Sequence, residues 1–292
     1  MTKQTIEYLS ELALSAAKMA SAYIKSQLSF EHKISLKDNV DSLATQLVTA
    51  IDLESQRLIL NHLAPSIQQY DLGLLTEETE DDGSRLTKDY FWCIDPLDGT
   101  LPFTEQKPGY AVSIALVTRA GHPIIGVVVD PYHNEQWLAV KGQGVRRNGK
   151  PFTKKNDESS EALVGYFDLS FLKSERYNET VEALQRLYQS LGLKSLDIRT
   201  GYGAVMNALG VASSSSACYV KWPKKAVGGG AIWDFAATQL IFDELGMFAT
   251  TAEGDDIPLN NKHTTYMNAV GVIYATNKKI HQELIKLYSH LK

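Results

Sequence analysis

Cysteine is scarce in this chain. Its two residues, Cys93 and Cys218, are too few and too apolar in setting to suggest a disulfide framework, so stability must come from a packed core. Long apolar runs are missing as well. Nothing approaches the roughly 20 residues needed to span a bilayer, and Met1-Thr2-Lys3-Gln4 leads into an amphipathic helix, not a signal-peptide core. Positive charge is not in excess either. With 29 Lys and Arg against 34 Asp and Glu, the formal charge is −5, which offers no basic face to a nucleic-acid polymer. An anionic small molecule would have to be drawn in by local cations or by metal. What the chain does have is length: 292 residues, 44% of them hydrophobic, are enough for one large domain or two lobes with substantial cores. A cytoplasmic enzyme is the expectation.

The most informative stretch is Tyr90-Phe91-Trp92-Cys93-Ile94-Asp95-Pro96-Leu97-Asp98-Gly99-Thr100. Five apolar residues in a row predict a strand buried on both faces. It ends in a proline, which fixes its own backbone angle, and a glycine, which permits a sharp turn. Two carboxylates three residues apart can thereby be turned to one side of a bend. Crowded acids repel and favour protonation of one another unless a cation neutralises them, and hard oxygen ligands suit Mg²⁺, Mn²⁺ or Ca²⁺. Gly99 and Thr100 then present bare N–H groups at the start of a helix, a favourable place for an anion. Taken alone, Asp-Pro-Leu-Asp-Gly is also a good surface turn. An aspartyl-phosphate arrangement needs one residue between its two acids, and here there are two.

Along the chain, apolar residues at helical spacing predict a helix over roughly the first 28 residues, then an irregular polar segment, Ser29 to Asp41, carrying Lys33 and Lys37. A second helix opens at Leu47 and runs to about His62, with Thr49-x-x-Asp52 as a capping box and Pro65 as its end. Leu74 to Thr76 delivers Glu77 and Glu78 to a strand end, whereas Glu80 to Gly83 reads as a solvated loop. Strands over Tyr110–Val117, Ile124–Val129 and Gln136–Val140, with an Asn148-Gly149 hairpin, make an antiparallel meander. A polar break from Lys154 to Ser160 divides the chain into residues 1–155 and 156–292. Beyond it come a strand over Ala162–Phe167, helices over Thr180–Leu191 and Gly203–Ala212, and a strand over Cys218–Trp222. Lys224 to Gly230 is a mobile basic loop. Asp234 lies in the first turn of the next helix, where a carboxylate caps. Strands over Met247–Thr251 and Ala269–Ala275 and a helix from Asn277 complete the chain.

Asp52, Glu77-Glu78, the Asp95 to Thr100 run and Trp233-Asp234-Phe235-Ala236-Ala237, in this order, resemble the inositol monophosphatase family, whose superfamily includes 3′(2′),5′-bisphosphate nucleotidases and fructose-1,6-bisphosphatases. Gly126-Val127-Val128 and Gly142-Gln143-Gly144 through Asn148-Gly149-Lys150 extend the resemblance over nearly the whole chain. It implies a layered α/β (αβαβα) sandwich of two lobes with mixed and antiparallel sheets. It also implies direct attack of water with two to three Mg²⁺ ions, Mn²⁺ substituting and Li⁺ or Ca²⁺ inhibiting. By the resemblance, Glu77, Asp95 and the Leu97 carbonyl hold the first ion. Asp95, Asp98 and Asp234 hold the second, and a third lies near Glu77. Gly99 and Thr100 bind the phosphate, with Asp98 and Asp234 facing the ester, and Asp52 pairs with the Thr100 hydroxyl to orient the water. The implied substrate is a small phosphorylated metabolite and the implied assembly a homodimer, with no membrane partner. Inositol-cleaving members place a glutamate seven residues before the tryptophan-linked aspartate. Here that position is Val227, in a loop with Lys221, Lys224 and Lys225, so Lys224 and Lys225 are expected on the substrate side. Alternatives are a nucleotidase acting on 3′-phosphoadenosine 5′-phosphate, and a catalytically silent binding or scaffold member. Against the nucleotidase, Leu101-Pro102-Phe103 stands where its pattern has Lys-Glu-Phe.

Overall fold

The structure is a computed structural model that describes residues 1–34, 40–154 and 161–292, with the backbone alone at 29–34, 40–45 and 47. Two long helices, α1 (Lys3–Ile34) and α2 (Val40–Tyr70), lead into β1 (Gly73–Thr76), the one-turn α3 (Ser84–Thr87), β2 (Tyr90–Asp98) and the short α4 (Thr100–Thr104). The meander follows: β3 (Ala111–Thr118), β4 (Pro123–Asp130), β5 (Glu135–Val140), β6 (Gly144–Arg147) and β7 (Lys150–Phe152). Next come β8 (Ala162–Phe167), α5 (Tyr177–Ser190), β9 (Ser195–Thr200), α6 (Ala204–Ala212) and β10 (Ala217–Lys221). The chain closes with α7 (Ile232–Glu244), β11 (Phe248–Thr250), β12 (Val272–Ala275) and α8 (Lys278–Leu291).

The first sheet runs β1 to β7 in sequence order, antiparallel except for the parallel β1–β2 pair; the second has the order β11-β12-β10-β8-β9. Alternation of side chains sorts these sheets into layers. Trp92 and Ile94 of β2 join a core with Leu9, Ala13, Ala17 and Ile24 of α1 and Ile59 of α2. Phe91 and Cys93 point the other way, into a core built on α6 and α7 that also takes Tyr166, Tyr219 and Tyr274 from the second sheet. The outer face of that sheet packs Phe167, Cys218 and Ile273 on Leu184 of α5 and Leu284 of α8. Helix pair, sheet, helix pair, sheet, helix pair is the αβαβα sandwich that the resemblance implies. Both cysteines are buried as free thiols. Among the described residues, no helix is long and apolar enough to cross a membrane.

Several local expectations give way to packing. Pro65 lies inside α2, not at its end. The helix continues because Ser66, fully buried, donates to the Leu63 carbonyl (2.6 Å) and accepts the Trp92 indole N–H (3.1 Å). Burying those last turns on the sheet outweighs the roughly 3 kcal/mol penalty of an internal proline. The segment from Ser29 to Asp41 is not wholly irregular, since α1 reaches Ile34 and α2 starts at Val40; Lys37 lies outside the described residues. Thr49 and Asp52 are therefore mid-helix, and no capping box forms there. The acidic run before Gly83 is not simply solvated either. Asp81 pairs at 2.7 Å with Arg85, which is buried and also donates to Asn260 Oδ1 and the Asn261 carbonyl. β9 is a half-buried edge strand whose polar alternation hid it in the sequence. The expected division at residue 155 falls outside the described residues.

Candidate active site

In an unbroken strand, Asp95 and Asp98 would face opposite sides of the sheet, because side chains alternate. They do not, because β2 carries a bulge at this point. Asp95 pairs with Ser113 and Asp98 with Ala111, so two residues of β2, Pro96 and Leu97, oppose Val112 alone. The extra residue turns Asp98 to the side of Phe91, Cys93 and Asp95. The bulge leaves the Pro96 carbonyl out of the ladder, and buried Ser55 of α2 satisfies it at 2.9 Å. Asp95 Oδ1 accepts the Leu97 N–H at 3.0 Å, closing the turn on itself.

Two helix starts meet that turn. At the first, the Asp98 carboxylate accepts the N–H groups of Ala204 (3.1 Å) and Val205 (2.9 Å) in the first turn of α6. Gly203 permits this approach, since a Cβ there would stand 2.2 Å from Asp98 Oδ2. At the second, Asp234 of α7 accepts the Ala231 N–H, so it is the cap the sequence suggests while also facing inward. Gly126 of β4 lets α7 lie close against the first sheet: a Cβ would come within 2.6 Å of the Ala237 carbonyl oxygen. The outcome is that Asp95, Asp98 and Asp234 each present a carboxylate oxygen within 4.8 Å of the others.

Such a cluster is costly without a cation. Loss of water and then mutual repulsion raise the carboxyls of Asp95 and Asp98 well above the usual range; burial also raises Asp234, with Lys221 opposing. Glu77, at the end of β1 beside Asp95, is pushed up to about 7 by loss of water, Asp234 and Glu78, against a hydrogen bond with Asp95. It stands at the exposed rim, outside the tight triad. Asp52 is buried behind Glu77 and Glu78; desolvation, then those two charges, push it up to about 8. Its Oδ1 has no hydrogen-bond partner, and among the described residues it makes no bond to Thr100, which is exposed. The donor set, all hard oxygen and largely buried, fits a divalent cation of the Mg²⁺ class.

The cluster forms one wall of an open cleft of about 690 Å³, also lined by Leu97, Gly99 and Thr100. The opposite wall comes from the second sheet. Parallel register carries β8 and β10 to the cleft side by side, leaving Asp168 and Lys221 at their carboxyl ends, paired at 2.9 Å. Asp168 also accepts the Tyr219 hydroxyl at 2.9 Å. Sequence reasoning missed Asp168 altogether; it counted Lys221 with the loop lysines although its own strand over Cys218–Trp222, which the structure bears out, already contained that residue. A chargeable residue directly after an apolar strand, at Phe167-Asp168 and Val220-Lys221, was the available signal.

Comparison with known proteins decides the family. The model of the inositol monophosphatase family matches residues 5–292. The chain belongs to the inositol monophosphatase family. It is 28% identical to inositol monophosphatase 2 of Solanum lycopersicum over 90% of this chain and 95% of the relative. It is also 28% identical to the fructose-1,6-bisphosphatase/inositol-1-monophosphatase of Thermotoga maritima over 87% and 88%. The structure of the inositol monophosphatase from Anabaena superposes with a TM-score of 0.70 at 25% identity, over 98% of this chain and 97% of that one.

Within this family member, the substrate-side expectations need revision. Val227 is 73% exposed and does not line the cleft. Lys225 does not line it either, and Lys224 lines an adjoining cavity instead. The lysine in the cleft is Lys221, at the end of β10.

Proposed function

We propose that this chain is a Mg²⁺-dependent phosphatase that hydrolyses a small phosphate monoester by direct attack of water, without a phosphoenzyme. One observation carries the reading: three buried carboxylates, from β2 and α7, converge within 4.8 Å at the wall of an open cleft. That arrangement is unfavourable unless a cation compensates it. Asp95, Asp98 and Asp234, with Glu77 at the rim and the carbonyl of buried Leu97, would hold two to three divalent ions. Bound there, the ions would lower the pKa of water and stabilise the leaving oxygen. The protein's own groups do the positioning. Gly99 and Thr100 would direct N–H groups at the phosphate, and Glu77 at the rim would orient the water. Water oxygen bonds to phosphorus, the ester P–O bond breaks, and the water's proton ends on the departing alcohol.

The test is release of inorganic phosphate by the purified protein from inositol 1-phosphate, fructose 1,6-bisphosphate and 3′-phosphoadenosine 5′-phosphate, with and without Mg²⁺ after chelation. Activity should require the ion and fall by orders of magnitude in Asp98→Asn and Asp234→Asn, with circular dichroism unchanged. A folded protein inert on all three esters favours the silent scaffold instead. Inhibition by Li⁺ and assembly as a homodimer belong to the same proposal, checked by adding LiCl to the assay and by sedimentation.

A further inference from the structure

The cleft is electrically lopsided. Its near wall carries Glu77, Asp95, Asp98 and Asp234, and its far wall carries the Asp168–Lys221 pair. Behind that pair lies a second cavity of about 510 Å³, which shares Asp168, Lys221 and Gly229 with the cleft and adds Lys173, Arg176 and Lys224. Glu175 is its only further acid among the described lining residues. Four cations thus face two carboxylates across the partition from an acidic site.

Lys221 is placed to serve both spaces. Burial alone would lower its ammonium, but Asp168, then Asp234 and Asp98, raise it, so it stays charged. Its side chain is 14% exposed and engages one Asp168 oxygen, whereas an ammonium has three donors. Tyr219 occupies the other Asp168 oxygen, so Asp168 orients Lys221 instead of absorbing all of its hydrogen-bonding capacity. Among the described residues, Lys173, Arg176 and Lys224 form no ion pair. The chain around them is shaped to the lysines. Gly229 and Gly230 take φ of +87° and +115°, and a Cβ on either would meet Lys224 Nζ at 2.7 Å or Lys221 Nζ at 3.1 Å. Side chains there would press on the ammonium groups; glycines leave them open.

Resting on the phosphatase reading, we infer that Lys221, backed by Lys224 and Arg176, forms a subsite for a second anionic group on the substrate's leaving-group side. The favoured substrate is a phosphate monoester that also carries a phosphate or a carboxylate, and an uncharged polyol phosphate is a poor one. An inward lysine supplies a charge-assisted donor to an anion and nothing comparable to a hydroxyl.

The test compares matched pairs in Mg²⁺: fructose 1,6-bisphosphate against fructose 1-phosphate, and 3-phosphoglycerate against glycerol 3-phosphate. The member with the extra anion should have a kcat/KM higher by about tenfold or more, the worth of one charge-assisted hydrogen bond. That ratio should shrink at high salt (about 0.5 M KCl). In Lys221→Gln it should collapse toward one, mainly through KM, and in exposed Lys224→Gln it should fall partway. Preference in the bisphosphate pair alone supports the subsite with phosphate as its anion, and preference in both pairs supports it for carboxylates too. Equal kcat/KM within both pairs, with phosphate released, overturns the subsite and leaves the phosphatase reading standing. No release from any ester overturns both.

Discussion

Gly203 offers the sharpest test of how the acidic site is assembled. Its φ of −63° and ψ of 167° suit any residue, so Gly203→Ala introduces no backbone strain, and any effect comes from the added methyl. That methyl would lie 2.2, 2.7 and 2.8 Å from the three terminal atoms of Asp98. Because the carboxylate would have to retreat by roughly 1 Å, its bonds to the Ala204 and Val205 N–H groups, at 3.1 and 2.9 Å, would break. Without metal, burial and the neighbouring acids raise the Asp98 carboxyl well above its usual range and so favour its neutral form, whose two bonds are worth about 1 kcal/mol each. Overpacking adds about 1–3 kcal/mol, so the metal-free protein should lose about 3–5 kcal/mol. With Mg²⁺ bound the carboxylate is ionised, and each lost bond costs about 1.5–3 kcal/mol. The variant should therefore also gain less from Mg²⁺, by about 1–4 kcal/mol. Urea unfolding with chelator and with saturating Mg²⁺ reads both quantities, and phosphate release reads the catalytic consequence. Wild-type unfolding midpoints in both conditions would show that the α6 amides do not hold Asp98 in place.

Other outcomes follow from the same structure. Asp52 has a folded-state pKa raised from 3.8 to about 8, so its contribution is fully present below about pH 4 and lost as the pH rises to 8. Metal-free protein should thus unfold more easily at pH 8 than at pH 5, by a few kcal/mol, with Mg²⁺ narrowing the gap; a stability that climbs across this window sinks the assignment. Arg85→Met leaves Asp81 and Asn260 without their buried partner, and should cost about 3 kcal/mol in urea unfolding. Gly99 sits at φ +85° with the Gly109 carbonyl oxygen 2.5 Å from a would-be Cβ. Gly99→Ala should lose at least about 2 kcal/mol and most phosphate release; retention of both would mean that the turn is free to move.

Much of the fold can be read from local pattern. The continuous apolar run over Tyr90–Ile94, the meander strands, the Asn148-Gly149 turn, the helical stripe of Leu9, Ala13, Ala17 and Ile24, and the helix start at Asn277 (its Oδ1 accepts the Ile280 N–H at 3.0 Å) all appear where they were expected. Asp95, Asp98 and Asp234 each sit at a strand end or helix start whose own sequence announces it, but their grouping comes from the family resemblance, and it is packing that brings their oxygens within 4.8 Å of one another.

Contacts between distant segments are a different matter. That α2 runs on through Pro65 depends on Trp92 reaching Ser66. Arg85 is buried because Asn260 and Asn261 come round to meet it. Lys221 faces Asp168, not solvent, because β8 and β10 pair in parallel register. Residue types and their near neighbours dictate which elements form and which side chains could do chemistry. Which of those side chains share one low-dielectric space is decided by register and packing, since burial and charge act through distance in space and not along the chain.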